Sequence, residues 1–173
     1  MTTITYNRRL QRKASRLCVA VLLFAVLWML PACTSEHQNY SRFYSMSPKG
    51  WSANAPLHFA PDSLDSLGTY DVKLAVRHNT HYAYEQLLLA VDFIDNAGKV
   101  TRQVVTFDVA DGYGNWKGAG FGSVYQLERT IARDVSRASV KRIVVWNGMK
   151  THEKLLQGVT DVGVTITRRD SNK

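Results

Sequence analysis

Short segments of alternating apolar and polar residues most restrict the fold of this chain. Residues 70–77 place Val72, Leu74 and Val76 on one side and charged residues on the other. Residues 84–94 repeat the pattern with alternate leucine, valine and phenylalanine. A period of two is that of a half-buried β-strand, whose successive side chains point to opposite faces. The sequence therefore predicts strands over most of the chain after residue 40.

Turn residues and prolines separate these segments. Residues 95–98 read Asp-Asn-Ala-Gly and predict a four-residue hairpin turn. Residues 57–60 lie between two prolines, which predicts a short strand at a sheet edge, where a missing N–H is tolerated. In residues 99–109, Val105, Phe107 and Val109 share one face but Val100 and Val104 do not fit that phase, which predicts a β-bulge near Gln103 or Val104.

Three segments are harder to assign. The apolar run within residues 139–146 suits a strand that is covered on both faces. Residues 125–135 fit both helical and strand spacing, and residues 152–157 predict one short helical turn. Seven or eight short strands without a clear long helix predict an all-β fold, an antiparallel β-sandwich of jelly-roll or immunoglobulin-like type.

Residues 1–32 have the anatomy of an export signal. Five basic residues and no acidic one precede an uninterrupted apolar segment over residues 17–30. This segment is shorter than the roughly 20 residues that a helix needs to cross a bilayer. It ends in Leu-Pro-Ala-Cys33, which resembles a bacterial lipobox, in which the cysteine receives a diacylglycerol and becomes the first mature residue. We expect a lipoprotein signal peptide over 1–32, a lipid-anchored tether over 33–39 and a β-sandwich domain over 40–173.

Cleavage of the leader changes the net charge and the number of cysteines from which function is inferred. All 14 acidic residues follow Cys33, but only 17 of the 22 basic residues do, so the formal charge falls from +8 to +3. The basic character of the full chain is therefore weak support for nucleic-acid binding. Cys18 leaves with the leader and Cys33 is acylated, so no disulfide or thiolate site is expected.

The densest group of special residues lies in residues 108–122, where five glycines and three aromatic residues predict a loop with several positive φ angles. Tyr113, Trp116 and Phe121 are the candidate contacts, either as aromatic anchors for a protein partner or as stacking platforms for a glycan. Asp108, Asp111 and Asn115 carry oxygens that calcium prefers, but their spacing is not that of an EF-hand. A purely structural loop, with glycine for backbone geometry and aromatics over the core, is the alternative.

Other patterns indicate no catalytic or metal chemistry. His78 and His81 form H-x-x-H, but residues three apart in a strand or turn do not share a face, so we expect two solvated turn residues. The sequence has no G-x-S-x-G elbow and no phosphate loop. Arg137, Lys141 and Arg142 form a basic patch, either a solvated face or a contact for anionic lipid. We therefore predict no cofactor, no metal and no catalytic residue.

Four blocks follow one another along the chain. They are the lipobox, Gly50-Trp51, the segment from Asp111 to Gly122 with its Trp-Lys-Gly-Ala-Gly-Phe-Gly sequence, and residues 158–163 with Thr-Asp-Val-Gly. In this order they resemble the GldH family of gliding motility lipoproteins of Bacteroidetes. The similarity covers residues 40–166, nearly all of the mature chain. It favours a strand over residues 125–135, and it brings no catalytic residue.

The resemblance implies a cell-envelope lipoprotein. We expect a non-catalytic component of the gliding motility or type IX secretion apparatus that contacts other envelope lipoproteins and the membrane, but no nucleic acid. The alternative is a surface glycan-binding β-sandwich module. Because Thr34-Ser35-Glu36-His37 holds a single acidic residue, we expect the periplasmic face of the outer membrane rather than the cell surface.

Overall fold

A computed structural model describes residues 38–150 and 154–169, except the side chains of Gln38 and Phe121. The strands are β1 (Gln38–Ser45), β2 (Trp51–Ser52), β3 (Leu57–Phe59), β4 (Thr69–Asn79), β5 (Gln86–Ile94), β6 (Val100–Asp108), β7 (Ala119–Phe121), β8 (Val124–Ser136), β9 (Arg142–Asn147), β10 (Leu155–Leu156) and β11 (Val159–Arg168). A single 3₁₀ helix (Arg137–Val140) completes the regular structure of these residues. None of the described segments forms a helix long and apolar enough to cross a bilayer.

The strands pair in a nested order. β1 pairs with β11, β2 with β10, β3 with β9, β4 with β8 and β5 with β6, all antiparallel. This produces a five-stranded sheet in the order β1-β11-β4-β8-β7, a four-stranded sheet in the order β3-β9-β5-β6, and the small β2-β10 sheet. Nested pairing is that of one long hairpin rolled into two facing sheets, the jelly-roll arrangement. The predicted antiparallel β-sandwich is thus confirmed, and the pairing order selects the jelly roll.

The inner faces of the two large sheets form one core. Val72, Leu74 and Val76 of β4 are fully buried, as their alternation predicts. They belong to one apolar cluster with Leu89 and Val91 of β5, so residues of both sheets share the same interior. Burial of this continuous apolar face is the main stabilising contribution available to the domain.

The predicted hairpin and edge strand are both present. The backbone N–H of Gly98 donates to the carbonyl of Asp95 at 3.1 Å, which closes the turn between β5 and β6. β3 lies at the edge of the four-stranded sheet, next to the prolines that flank it.

The predicted bulge near Gln103 or Val104 is wrong. β6 pairs with β5 in continuous register from Val100 to Asp108. Val100 and Val104 are 54% and 65% exposed, because both lie on the outer face of an edge strand. The alternation is therefore regular, and two valines simply occupy solvent-facing positions.

Tertiary pairing resolves the ambiguous segments. The region over residues 125–135 lies within β8, a 13-residue strand that pairs with β4. β9 is buried on both faces at Ile143, Val144 and Val145, as predicted. The predicted helical turn over 152–157 begins outside the described residues, and its described part is wrong, because Leu155–Leu156 forms β10 against Trp51–Ser52.

The antiparallel registers give the sandwich two distinct ends. At what we term the proximal end, β1 begins beside the end of β11, with Gln38 opposite Thr167. The hairpin after β5 and the 3₁₀ helix also lie there, joined by a hydrogen bond of 2.9 Å from the N–H of Asn96 to the carbonyl of Ala138. The glycine- and aromatic-rich loop lies at the opposite, distal end, where the N–H of Val109 donates to the carbonyl of Glu85 at 2.7 Å.

Candidate functional site

The loop over residues 109–118, which we term the distal loop, is organised by one carboxylate. Asp111 Oδ1 accepts hydrogen bonds from the backbone N–H groups of Tyr113 and Asn115, each at 2.9 Å. Asp111 Oδ2 accepts from the Asn115 side-chain amide at 2.9 Å. The hydrogen bond from the Asn115 side chain is the main reason that the pKa of Asp111 lies below its usual value. A short bridge between Ala110 and Trp116 closes the base of the loop.

This bracing leaves Tyr113 at the tip with 95% of its surface exposed. Gly114 has a φ of +83°, which carries the chain around the tip in a conformation that glycine adopts without steric cost. The exposed ring therefore stands on a backbone that is already ordered.

Trp116, in contrast, packs against the core. Its ring centroid lies 5.0 Å from that of His78 and 6.1 Å from that of Tyr125. Tyr113 takes part in none of these ring contacts. Trp116 therefore attaches the distal loop to the sandwich, and the use of Tyr113 and Trp116 as contacts for a protein or a glycan stays a prediction.

Phe121, the third candidate contact, lies in β7 opposite Val124. Its side chain is outside the described part of the structure. Its role as a contact stays a prediction.

His78 is buried in the core. The sequence predicts a solvated turn residue at this position, which is wrong, because the side chain is only 1% exposed. β4 continues past Arg77 to Asn79, so His78 keeps the inward phase of the buried valines before it. Its ring stacks on Tyr125 with centroids 5.4 Å apart and planes 16° apart. His81, by contrast, is exposed as predicted.

Burial governs the protonation of His78. Nδ1 lies 3.3 Å from the carbonyl oxygen of Asn79, whereas the buried Nε2 has no hydrogen-bond partner among the described residues. Loss of solvation lowers the pKa of His78, and the nearby carbonyl only partly offsets it. The imidazole is therefore held neutral as part of an aromatic cluster with Trp116, Tyr125 and Tyr82.

Both carboxylates considered for calcium accept hydrogen bonds within the fold. Asp111 is occupied by its own loop, and Asp108 Oδ1 accepts from Gln86 Nε2 at 2.9 Å. Among the described residues, no group of three His, Cys, Asp or Glu side chains is arranged to hold a metal ion.

The glycine blocks have structural roles. Gly118 has a φ of +98°, and a Cβ there would lie 2.4 Å from the carbonyl oxygen of Gln126. Gly158 has a φ of +84°, and a Cβ there would lie 2.2 Å from the backbone nitrogen of Tyr82. Both positions need positive φ and close backbone approach, which only glycine provides. Gly163 has no such φ, but the ring of a phenylalanine on β1 lies directly over it.

One cluster was missed from the sequence. Asp92 lies on the outer face of the four-stranded sheet yet is only 5% exposed. Its two carboxylate oxygens accept from Arg102 at 2.6 Å each, and Oδ2 also accepts from Trp146 Nε1 at 2.9 Å. These hydrogen bonds, chiefly that of Arg102, lower the pKa of Asp92. The alternation placed Asp92 outward correctly but did not indicate its partners on two other strands.

An open depression of about 650 Å³ lies beside the distal loop, on the outer face of the five-stranded sheet. Arg77 lines it and donates from Nε to Gln126 Oε1 at 2.7 Å. The guanidinium of Arg77 also lies over the Phe43 ring, 4.6 Å from its centroid. Asp161 lies on the rim, where its Oδ1 accepts from Ser45 Oγ at 2.7 Å. The charged groups of this depression are thus held by neighbouring side chains rather than directed at its open space.

Comparison with known proteins gives one consistent assignment. The family model for the GldH lipoprotein matches residues 38–166, from the first residue of β1 to near the end of β11. A gliding motility lipoprotein GldH homolog of Christiangramia forsetii is 26% identical over 90% of this chain and 99% of its own length. The gliding motility lipoprotein GldH of Flavobacterium johnsoniae is 23% identical over 94% of this chain and 99% of its own length.

Similarity to solved structures is weak. A crystal structure of the CBM22-1 and GH10 modules of a Clostridium thermocellum xylanase, complexed with xylohexaose, superposes with a TM-score of 0.38 and 15% identity. That superposition covers 77% of this chain and 25% of the xylanase chain. A TM-score this low establishes neither a common fold nor a common ligand.

Proposed function

This chain belongs to the GldH lipoprotein family, and we propose that it is a lipid-anchored, non-catalytic protein–protein component of the gliding motility and type IX secretion apparatus. The relatives that it matches over almost their full length are gliding motility lipoproteins. The proposed location is the periplasmic face of the outer membrane.

The membrane attachment follows from the leader. A basic head, a 14-residue apolar segment and Cys33 preceded by Leu-Pro-Ala support export, cleavage before Cys33 and acylation of its thiol and new amino group. Several acyl chains, at about 0.8 kcal/mol per buried methylene, give stable anchoring that one chain does not. The sandwich is then a binding domain held at the membrane.

The exposed and pre-ordered Tyr113 is the observation that carries the partner-binding proposal. An aromatic anchor on a rigid loop loses little conformational entropy on binding, and aromatic residues contribute much of the energy of protein interfaces. Asp111 and Asn115 hold the distal loop through hydrogen bonds of 2.9 Å, so Tyr113 is presented without further ordering. Trp116 supports this loop from below by packing on His78.

The same geometry argues against catalysis by this loop. Its one carboxylate is satisfied by the loop itself, and the neighbouring histidine is buried in an aromatic cluster. A loop of this kind can position a contact residue, and its carboxylate and the neighbouring histidine are engaged within the fold rather than directed at a substrate.

The test is a pulldown from crosslinked cell envelopes with an affinity tag after Lys173, analysed by mass spectrometry. We expect gliding or secretion lipoproteins to be recovered with the native chain and to be lost on Tyr113→Ala. Tyr113→Phe keeps the ring and should retain recovery. Val104→Ala removes an exposed apolar side chain on the other sheet and should also retain it, because Val104 lies on the edge strand β6.

Recovery that is equal for the native chain and Tyr113→Ala would assign the contact to another surface. If no protein is recovered and the native chain binds on a glycan array, the glycan module becomes the better assignment. Trp116→Ala is not a suitable probe, because loss of its contact with His78 is expected to destabilise the loop itself.

A further inference from the structure

The proximal end of the sandwich is where any membrane tether must attach. Gln38, the first residue of β1, is five positions after Cys33 in the chain. An extended chain of that length spans at most about 18 Å. If Cys33 carries lipid, as the proposed function holds, the proximal end lies within that distance of the bilayer surface.

This end presents a pre-formed apolar protrusion. Leu67 is 89% exposed at this end. Its turn is held by Asp65, which accepts from the N–H of Leu67 through Oδ1 at 3.1 Å and from the Tyr70 hydroxyl through its carbonyl at 2.8 Å. Gly68 packs against the Tyr70 ring. The leucine is thus exposed by an ordered turn.

The same end carries exposed positive charge. Arg137 lies in the 3₁₀ helix, Lys141 follows it, and Arg142 begins β9; all three are exposed. Within the described residues, no salt bridge involves Lys141 or Arg142. Arg137 donates to the carbonyl of Asp62 at 3.4 Å, which ties the helix to the segment that carries Leu67.

Two other cations at this end are already paired. Arg168 forms a salt bridge with Asp65, and Arg169 forms salt bridges with Asp134 and Asp71. These pairs brace the end and do not involve Arg137, Lys141 or Arg142.

We infer that the proximal end is a membrane-contact surface, where Leu67 enters the headgroup region and Arg137, Lys141 and Arg142 bind anionic phospholipid headgroups. A short acyl tether, an exposed apolar side chain and adjacent cations are the elements that hold a protein on an anionic bilayer. The surface sets the orientation of the domain. The distal loop with Tyr113 then faces away from the bilayer, beyond the roughly 35 Å length of an 11-residue strand such as β4.

The test uses the full chain, processed in cells and reconstituted in vesicles of phosphatidylethanolamine and phosphatidylglycerol that contain spin-labelled lipid as a quencher. With Cys18 removed and Cys33 acylated, an introduced cysteine is the single free thiol of the mature chain. A fluorophore is attached to Leu67→Cys in one sample and to Tyr113→Cys in another, both at exposed positions. We expect the lipid to quench the label at position 67 but not that at position 113.

Three outcomes decide between the alternatives. Equal quenching at both positions, or none at position 67 while the protein floats with the vesicles, overturns the proposed orientation and leaves the lipid anchor intact. Failure of the protein to float overturns the anchoring at Cys33 on which the inference depends. Quenching at position 67 alone supports it.

Charge reversal tests the headgroup contact separately. Lys141→Glu with Arg142→Glu should greatly reduce quenching at position 67, as should vesicles of phosphatidylcholine alone. Salt near 1 M should do the same, because it shortens the Debye length to about 3 Å. The matched control is Lys117→Glu with Lys154→Glu, which reverses two exposed cations at the distal end. This control should leave the quenching at position 67 unchanged. Insensitivity to both charge and salt would overturn the role of the cations.

Discussion

At the scale of single residues, His78 links the stability of the domain to pH. Its ring is buried against Tyr125 and Trp116, and burial lowers its pKa below the ordinary value of 6.5. The unfolded chain therefore binds a proton more readily than the folded one. Stability contributed by the neutral imidazole is present above about pH 6.5 and is lost as pH falls from that value towards the lower folded pKa.

We predict that His78→Phe, which keeps a ring against Tyr125, removes the decline in stability below pH 6.5. The measurement is a series of urea denaturation curves from mildly alkaline to mildly acidic pH. His81→Phe is the control. Because His81 is exposed, this substitution should leave the decline in stability below pH 6.5 in place. An unchanged pH dependence in the His78 variant would mean that another group titrates.

Gly158 is a second residue with a specific consequence. It combines a φ of +84° with the backbone of Tyr82, whose nitrogen a Cβ would approach to 2.2 Å. We predict that Gly158→Ala destabilises the domain by about 3 kcal/mol, because backbone strain adds to a clash with main-chain atoms that have no room to move. Chemical denaturation measures the loss.

Gly98 offers a matched control. Its φ of +82° is nearly the same, but nothing lies within 4 Å of an added Cβ. Gly98→Ala should therefore cost only the strain, about 1 kcal/mol. Equal losses in the two variants would show that the close approach to Tyr82 is relieved by a local shift.

At the scale of elements, Asp92 joins three strands of one sheet. Arg102 on β6 and Trp146 on β9 both donate to this residue of β5. We predict that Asp92→Asn lowers stability by about 1–2 kcal/mol at neutral pH, since the charged acceptor is lost while its shape is kept. The expected loss of stability is this modest because the Arg102 side chain is 59% exposed, so that solvent screens its interaction with Asp92.

The dependence of stability on acid pH tests whether the negative charge of Asp92 is responsible for this contribution. Its pKa lies below 3.8, so its contribution is present above that pH and is lost as pH falls through the folded value. Thermal denaturation at neutral pH and again in acid should show that the native chain and the Asp92→Asn variant converge in acid. Asp108→Asn, at an exposed position on β6, should follow the native chain under both conditions.

The β1–β11 pairing depends on a glycine beneath an aromatic ring. A Cβ at Gly163 would lie 2.4 Å from the Phe43 ring, which also contacts the Arg77 guanidinium. We predict that Gly163→Ala costs about 1–2 kcal/mol, because the ring is forced out of its position. In a Phe43→Ala background the same change should be neutral or slightly stabilising, since alanine is favoured over glycine in a strand. A double-mutant cycle from urea curves measures this coupling, and an equal cost in both backgrounds would exclude the contact.

At the scale of the whole molecule, the nested pairing makes the sandwich a self-sufficient unit after the tether. Strand β1 pairs with β11 along its length, so the two ends of the described chain lie side by side in one sheet. We predict that Cys33→Ala moves the protein from the membrane to the soluble fraction and leaves the melting temperature of the sandwich unchanged. Fractionation and circular dichroism measure the two effects. A soluble but poorly folded variant would show that acylation supports folding.

The sequence predicted most of the long strands and the fold class, because side-chain alternation is local and has the period of a strand. Its spacing left residues 125–135 open between helix and strand, and it predicted a helical turn where β10 forms. It identified the hairpin, the edge strand β3, the buried β9 and the glycine-rich loop, and through its four blocks it identified the family. Cys33 is likewise a prediction from local pattern. The sequence did not show that Val100 and Val104 of β6 are simply exposed, since periodicity does not report which strands lie at an edge.

Which segments meet depends on long-range packing. The pairing of Gln38 with Thr167 joins residues far apart in the chain, and no local pattern encodes that partner. The same holds for His78, which is buried because Trp116 and Tyr125 arrive from other elements. The separation of the proximal and distal ends arises in the same way, from the antiparallel registers of nested strands. Local chemistry specified the strands, and long-range packing specified their order and the surfaces that result.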